Sequence, residues 1–404
     1  MKALLRVKVQ LAAALLMLVS CGGARWLSLA AGEPAPAPKK LNPDLVALPP
    51  NTWVKIKPNR NPEGRSFSGV CWGNGLIYYF GGGHHSYVGN DVELYDVAAN
   101  TWTQATECED WREHAKWTYL TEQQQKDINA IGGGSNAPLG ILSPKGRPLT
   151  YHSYQQHAWF PEESAFYNLG QKWGMWAFDP VKREWSEATR QLPDFGDQST
   201  ISLVYDPGLK TVVALTGTRG AAAYAYNRET KAWVKKCGLP CKNTSVHTAY
   251  DSVRKVHVIH AGGQSCFTLD LATGTTKPMA SFDEAVKAAG KPAPLSDVSM
   301  GYDPELKAAL ILNSDTGDKA RKGAGAPVQV WAYDADKDNW AEVKMSGPTP
   351  TGDVRWGLLV YDTDHKCCLF VNVMGIQGSR LQGGPVDGLF AFRCNQRKEL
   401  KIEK

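Results

Sequence analysis

Residues 76–102 read LIYYFGGGHHSYVGNDVELYDVAANTW, and this stretch decides the fold. Leu76-Ile77-Tyr78-Tyr79-Phe80 is an apolar run rich in aromatics, the composition of a buried strand. Gly81 to Gly83 stop it, and a polar loop follows. A second run then alternates as far as Tyr95-Asp96, and Trp102 comes seven residues after Tyr95. Strand, glycine break, alternating strand and closing tryptophan make one unit. Degenerate copies of it fill most of the chain.

Outward from this unit, a second phrase recurs: an apolar strand, Tyr-Asp, a turn with a basic residue, then another apolar strand. It reads Tyr205-Asp206 with Lys210, Tyr250-Asp251 with Lys255, Tyr302-Asp303 with Lys307, and Tyr361-Asp362 with Lys366. Asp-Pro and Asp-Ser start turns, so each phrase predicts a β-hairpin. Ala158-Trp159-Phe160-Pro161 is a weaker copy. Closing tryptophans follow at Trp185, Trp233 and Trp340, while the unit ending in Phe267-Thr268-Leu269-Asp270 has none. The last unit, at Leu389 to Phe392, runs out of chain. Asn51-Thr52-Trp53 repeats the Asn100-Thr101-Trp102 of the first unit without strands of its own, and is expected to supply the missing fourth strand.

First strands start near Ser68, Ser153, Ser202, Thr248, Met300 and Leu358, and after the first interval they lie 46 to 58 residues apart. A repeat of roughly 50 residues with these marks resembles the kelch repeat, in chains similar to galactose oxidase. The resemblance covers about residues 51–397. It implies an all-β, six-bladed propeller of four-stranded blades, the last closed by an N-terminal strand. Residues 106–147 form an insertion with Trp111, His114 and Trp117 and an expected short helix near Glu122 to Ile131. A seventh blade there would lack the strand phrases. The fold hosts unrelated activities, so the resemblance names an architecture and no reaction.

The first twenty residues have the parts of an export signal. Lys2, Arg6 and Lys8 precede an apolar run, Val9 to Val19, too short to span a bilayer. Leu18-Val19-Ser20-Cys21 resembles a bacterial lipobox and predicts Cys21 as a lipid-bearing residue; a plain signal cut near Ala30-Ala31 is the alternative. Residues 21–50, with EPAPAPKK at 33–40, read as a stiff tether, and 398–404 as a tail. The expectation is an exported protein, anchored in a membrane only through lipid or else secreted. The formal charge is +5, and loss of those three basic residues lowers it to +2, too little to point to nucleic acid. Eight further cysteines, an even number, predict disulfides in an oxidising compartment, with Cys237-Gly-Leu-Pro-Cys241 as a local staple.

In such a blade, the loop between second and third strands and the loop leading into the next blade reach the same end. Loops converging at one end of a channel are where a site is expected. The first set contributes His84, His85, Tyr87, Asn90, Arg219, Gln264, Asp315, Arg321 and Arg380. The second contributes Arg60, Arg65, Arg147, Tyr151, His152, Asp197, Asn243, His247, Asp297 and Arg355. His84, His85, Tyr87 and His152 are candidate catalytic residues, because imidazole and phenol can serve as base and acid. Arg65, Asn90, Arg147, Tyr151, Arg219, His247 and Arg355 are candidate binding residues, arginines suiting carboxylates or sulfates. Some propeller polysaccharide lyases combine Arg, His and Tyr in this way. If the protein is an enzyme, a carbohydrate-active one of that kind is expected.

Tyr151-His152-Ser153 resembles the Tyr-His-Ser at the copper site of galactose oxidase. This chain lacks the added domain that carries the further histidine, and its pair lies in an early blade. No cofactor is therefore expected, copper included, and no spacing specifies a metal. Binding or processing of extracellular carbohydrate, anionic glycans included, is the reading preferred, with trough-lining Trp111, Trp117 or Trp356. A cell-envelope protein scaffold without catalysis is the alternative, and a copper radical oxidase a disfavoured third.

Overall fold

Each Tyr-Asp phrase forms a hairpin whose turn accounts for its residues. The aspartate ends a first strand and accepts backbone N–H bonds from the turn. Asp206 takes one from Leu209 at 2.7 Å, Asp303 from Glu305 and Leu306, and Asp362 from Asp364. The basic residue of the phrase then sits in the left-handed region, with φ of 50, 57, 56 and 55° at Lys210, Lys255, Lys307 and Lys366. One such residue returns the chain into the second strand.

The computed structural model describes residues 40–65, 67–82, 89–109, 121–122, 142–149, 152–170, 174–263, 265–291, 294, 297–314, 327–351, 354–355, 357–373 and 388–394. A first strand, β1 (Val54–Ile56), precedes blade one, which is β2 (Val70–Gly73), β3 (Leu76–Tyr79), β4 (Glu93–Asp96) and β5 (Thr101–Gln104). Blade two is β6 (His157–Phe160), β7 (Ala165–Gly170), β8 (Gly174–Asp179) and β9 (Glu184–Thr189). Blade three is β10 (Ile201–Asp206), β11 (Thr211–Thr216), β12 (Ala222–Asn227) and β13 (Ala232–Gly238). Blade four is β14 (His247–Asp251), β15 (Val256–Ala261), β16 (Ser265–Asp270) and β17 (Thr275–Met279). Blade five is β18 (Ser299–Asp303), β19 (Ala308–Ser314), β20 (Val328–Asp334) and β21 (Asn339–Val343). Blade six is β22 (Leu359–Asp362), β23 (Cys367–Asn372) and β24 (Gly388–Phe392), closed by β1.

All pairings within blades are antiparallel, and each first strand neighbours the next, β22 returning to β2. The expected six-bladed ring is the structure. The closing strand is shifted from its expected place. Val54 to Ile56 pair with Ala391 to Leu389, whereas Asn51 and Trp53 exchange backbone bonds with Ser346 of blade five.

The seven-residue interval between Tyr95 and Trp102 has a simple cause: the two are opposite partners on β4 and β5. Their rings lie 5.1 Å apart, and Phe178–Trp185, Tyr226–Trp233 and Tyr333–Trp340 repeat the pair at 5.2, 5.5 and 5.2 Å. In blade six, Trp53 plays this part against Phe392, at 4.5 Å. Between blades the core is also aromatic, Tyr78 of blade one stacking on Trp159 and Phe166 of blade two. Gly81, with φ of 106°, lets the end of β3 pass the hydroxyls of Ser68 and Ser153, where any Cβ would collide. These hydroxyls bond to each other, and Ser153 also bonds to the Phe80 carbonyl, clipping blade two to blade one.

Among the described residues, two short α-helices flank the blades. In α1 (Pro43–Val46), Asn42 caps the N-terminus, and in α2 (Phe282–Ala288), Ser281 does, its Oγ accepting the Glu284 N–H at 3.3 Å. The α1 segment is fastened to the hairpin turns of blades six and one. The Asn42 backbone N–H bonds to His365 Nε2 at 2.9 Å, and its side chain to the Val97 carbonyl. Among the described residues no helix is long and apolar enough to cross a membrane.

Among the described residues the expected disulfides are not formed. Cys71, Cys237, Cys241, Cys266, Cys367, Cys368 and Cys394 are free thiols, so the Cys237–Cys241 staple is absent. Cys71, Cys266, Cys367 and Cys368 lie on strands and fill the core as small apolar side chains. Burial pushes the Cys266 thiol up to about 12. An even count carries no information on the separation that a disulfide needs.

Candidate functional site

The loops that lead into first strands meet at one end of the ring, and side chains from four of them interact there. Tyr154 comes from the loop into blade two, His247 starts blade four, Asp297 precedes blade five and Arg355 precedes blade six. His247 Nε2 lies 3.6 Å from Asp297 Oδ1. Asp297 also accepts a bond from Ser245, and the Arg355 guanidinium acts on its charge. Burial opposes ionisation of Asp297, yet the nearby His247, the bond from Ser245 and the charge of Arg355 outweigh it, so the carboxyl is held below its ordinary range.

Tyr154 feels the same groups. Burial raises its phenol first, Asp197 and Asp297 add to this, and Arg355 opposes it. It therefore stays a neutral donor and acceptor at physiological pH. Its backbone is left-handed, φ 43°, as is that of Phe67, φ 59°, and both are uncommon for bulky residues. The conformation is fixed by bonds between blades, Tyr154 N–H to the Phe67 carbonyl at 2.7 Å and Gly69 N–H to the Tyr154 carbonyl at 2.6 Å. His152 stacks on Phe67 at 4.2 Å, its Nδ1 lying 3.3 Å from the Tyr154 hydroxyl. Placement of Arg355 depends on Ser299, whose Oγ bonds to the Arg355 carbonyl and accepts the Leu358 N–H at 2.7 Å.

Two residues missed in the sequence complete this end. His260, the β15 partner of His247, has its ring 6.0 Å from the His247 ring and its Nε2 3.5 Å from Asp283 Oδ1. Burial lowers the His260 pKa, His247 lowers it further, and Asp283 opposes them. Asp283 lies in the first turn of α2. Ser281-Phe282-Asp283-Glu284 has the S-x-x-E form of a capping box, the signal that could have placed this helix. The outcome is two imidazoles side by side, each facing a carboxylate.

The other candidates are engaged in holding loops. Arg65 is fully buried: its guanidinium donates to the Gly81 and Gly89 carbonyls, both at 3.1 Å, and to Asp91 Oδ2 at 2.8 Å. It braces the ends of the loop that carries His84 to Tyr87 and does not reach out to a ligand. Asn90 is buried, bonded to the Pro148 carbonyl and the Glu109 N–H. Arg147 donates to the Glu107 carbonyl at 3.0 Å, and exposed Arg219 pairs with Asp194 at 2.8 Å. Arg60 pairs with Glu93. His84, His85, Tyr87, Tyr151, Gln264, Asp315, Arg321 and Arg380 lie outside the described residues, as do Cys21, Trp111, Trp117 and Trp356. Among the described residues no group of three His, Cys, Asp or Glu side chains is arranged to hold a metal ion.

Residues 64–109 match the Kelch motif, the segment that holds blade one. With six four-stranded blades of this plan in a closed ring, the chain is a kelch-repeat β-propeller. No curated protein matches the sequence. Among solved structures, a structural genomics protein of unknown function from Bacteroides thetaiotaomicron VPI-5482 is similar at 10% identity and a TM-score of 0.46, over 86% of this chain and 73% of its own. An auxiliary nutrient binding protein of the same organism is similar at 8% identity and a TM-score of 0.45, over 84% and 75%.

Proposed function

We propose that the end of the propeller carrying Tyr154, His247, Asp297 and Arg355 binds extracellular carbohydrate, anionic glycans included. One observation supports the reading: loops of four blades bring a phenol, an imidazole, a carboxylate and a guanidinium within one another's field. Sugar hydroxyls both donate and accept, and this mixed set answers both needs. Arg355 adds a charge-assisted contact for a carboxylate or sulfate. The reading includes export through the segment before residue 21 and a lipid on Cys21. A protein partner at the cell envelope is the alternative that the experiment separates from it.

Neutral, uronate-bearing and sulfated polysaccharides are titrated against the protein, with Arg355→Ala beside it. Saturable binding of at least one glycan is expected, weakened roughly tenfold or more by loss of a charge-assisted bond. The same mixtures are followed for the ultraviolet absorbance of a new unsaturated sugar, which would make the site catalytic as well. If folded protein binds none of these glycans, the carbohydrate reading fails and the protein scaffold replaces it.

A further inference from the structure

At the end of the ring opposite the mouth, one histidine holds the N-terminal segment down. The Asn42 backbone N–H donates to His365 Nε2 at 2.9 Å. An imidazole nitrogen accepts only when it is bare, so the ring is neutral in this state and its hydrogen is on Nδ1. That hydrogen is donated to Asp362 Oδ2, in the turn between β22 and β23. His365 is 4% exposed and Asp362 is fully buried, so the imidazole is fixed from both sides.

Asn42 begins a short strap that runs through α1. Leu45 and Leu48 are buried under it, and Asn42 Nδ2 donates to the Val97 carbonyl at 3.2 Å. Arg393 Nη2 donates to the Leu45 carbonyl at 3.0 Å and to the His365 carbonyl at 2.8 Å. With four residues, α1 is far below the length at which a helix persists unaided. The strap can therefore open locally, while the pairing of β1 with β24 keeps the ring shut.

The two states of the strap treat a proton differently. When it is closed, a second ring hydrogen would sit on Nε2 and face the Asn42 N–H, donor against donor. When it is open, Nε2 is in water and can take that hydrogen, and the Asp362 carboxylate beside Nδ1 favours the charged ring. The other charged or titratable groups around the imidazole are Asp364 and Lys366 of the same turn, Asp44 of α1, Asp96 and Tyr95 of β4, Cys367 of β23, and Arg393. Burial raises both Tyr95 and Cys367, which keeps them neutral at physiological pH.

From this geometry we propose that the bond between Asn42 and His365 is an acid-released latch, which frees residues 41–49 from a ring that stays closed. The latch does not depend on any ligand at the mouth.

Hydrogen exchange of the full chain, read by mass spectrometry between about pH 8 and pH 5, tests it. An exposed imidazole takes its proton at about pH 6.5, so opening of the strap is expected to rise roughly thirtyfold over that range. Protection factors of residues 42–48, corrected for the intrinsic pH dependence of exchange, give this rise. Peptides from β23 and β24 are expected to keep their protection. His365→Gln puts an amide oxygen near the Nε2 position and does not titrate, so its strap is expected to show no such rise. An NMR titration of histidine-labelled wild type needs no variant, and stands even if His365→Gln fails to fold. In it, His365 is expected to gain its second ring hydrogen over the interval in which the strap opens. Constant strap protection, a rise that persists in folded His365→Gln, or opening out of step with His365 protonation would overturn the proposal.

Discussion

Four hairpin aspartates hold the same position in four blades, yet their second oxygens meet different company. Asp206 faces His257 at 2.9 Å, Asp251 faces Arg254 at 2.9 Å, and Asp362 bonds to His365 at the same turn. Asp303 is 2% exposed and, among the described residues, has no such side-chain partner; burial pushes its pKa up from 3.8 to about 6, Glu305 adds to the rise, and the turn N–H bonds and Arg393 oppose it. The folded state thus holds the Asp303 proton more tightly than the unfolded chain does. Stability from this group is present in full below the unfolded value of 3.8 and falls as pH rises through 6. Asp303→Asn keeps the oxygen that accepts the turn bonds and removes the charge. At pH 7 it is expected to stabilise the protein by about 1–3 kcal/mol, and near pH 4 by much less. Urea unfolding at the two pH values tests this, and destabilisation at pH 7 would refute it. At this same scale the sequence was least legible. Arg65 and Arg355 look alike in a loop, and only the fold brings Asp91 onto Arg65. His260 read as the end of a strand because nothing local announces Asp283 across from it.

Elements were easier to read, because their signals are intervals and turn residues. Tyr-Asp with a following lysine gave hairpins, and Tyr to Trp over seven residues gave cross-strand pairs. The closing strand was legible in kind and misplaced by a few residues, since Asn51 and Trp53 bridge Arg393 of blade six and Ser346 of blade five before the ladder with β24 begins at Val54. Trp53 is fully buried among Phe370, Phe390 and Phe392. Its removal leaves a cavity where blade six meets its only strand from the N-terminal side. Trp53→Ala is expected to cost about 3–5 kcal/mol. A denaturant midpoint equal to that of the wild type would show that β1 adds little to blade six. The thiols belong to this scale too: their positions on strands were visible in the sequence, but their distance from one another was not.

For the molecule as a whole, closure is the decisive event. Without β24 (Gly388–Phe392), β1 has no strand to pair with, and the ring has an open seam. Deletion of residues 373–404 is therefore expected to abolish the single sharp melting transition and to expose every blade to proteolysis. Calorimetry and limited digestion would show it, and a truncated chain that melts like the full one would refute it. The ring was legible because six imperfect copies share one plan, while the chemistry at its mouth was not, because each blade contributes a single side chain.

The fastening of Asn42 to His365 spans 323 residues of sequence. Together with the pairing of β1 and β24, it sets a clock. β1 must wait for β24, so all six blades have been synthesised before the seam can shut. Ring closure is thus a late event in the folding of this propeller. Until then the α1 segment can be held only by its bond to Val97 of blade one.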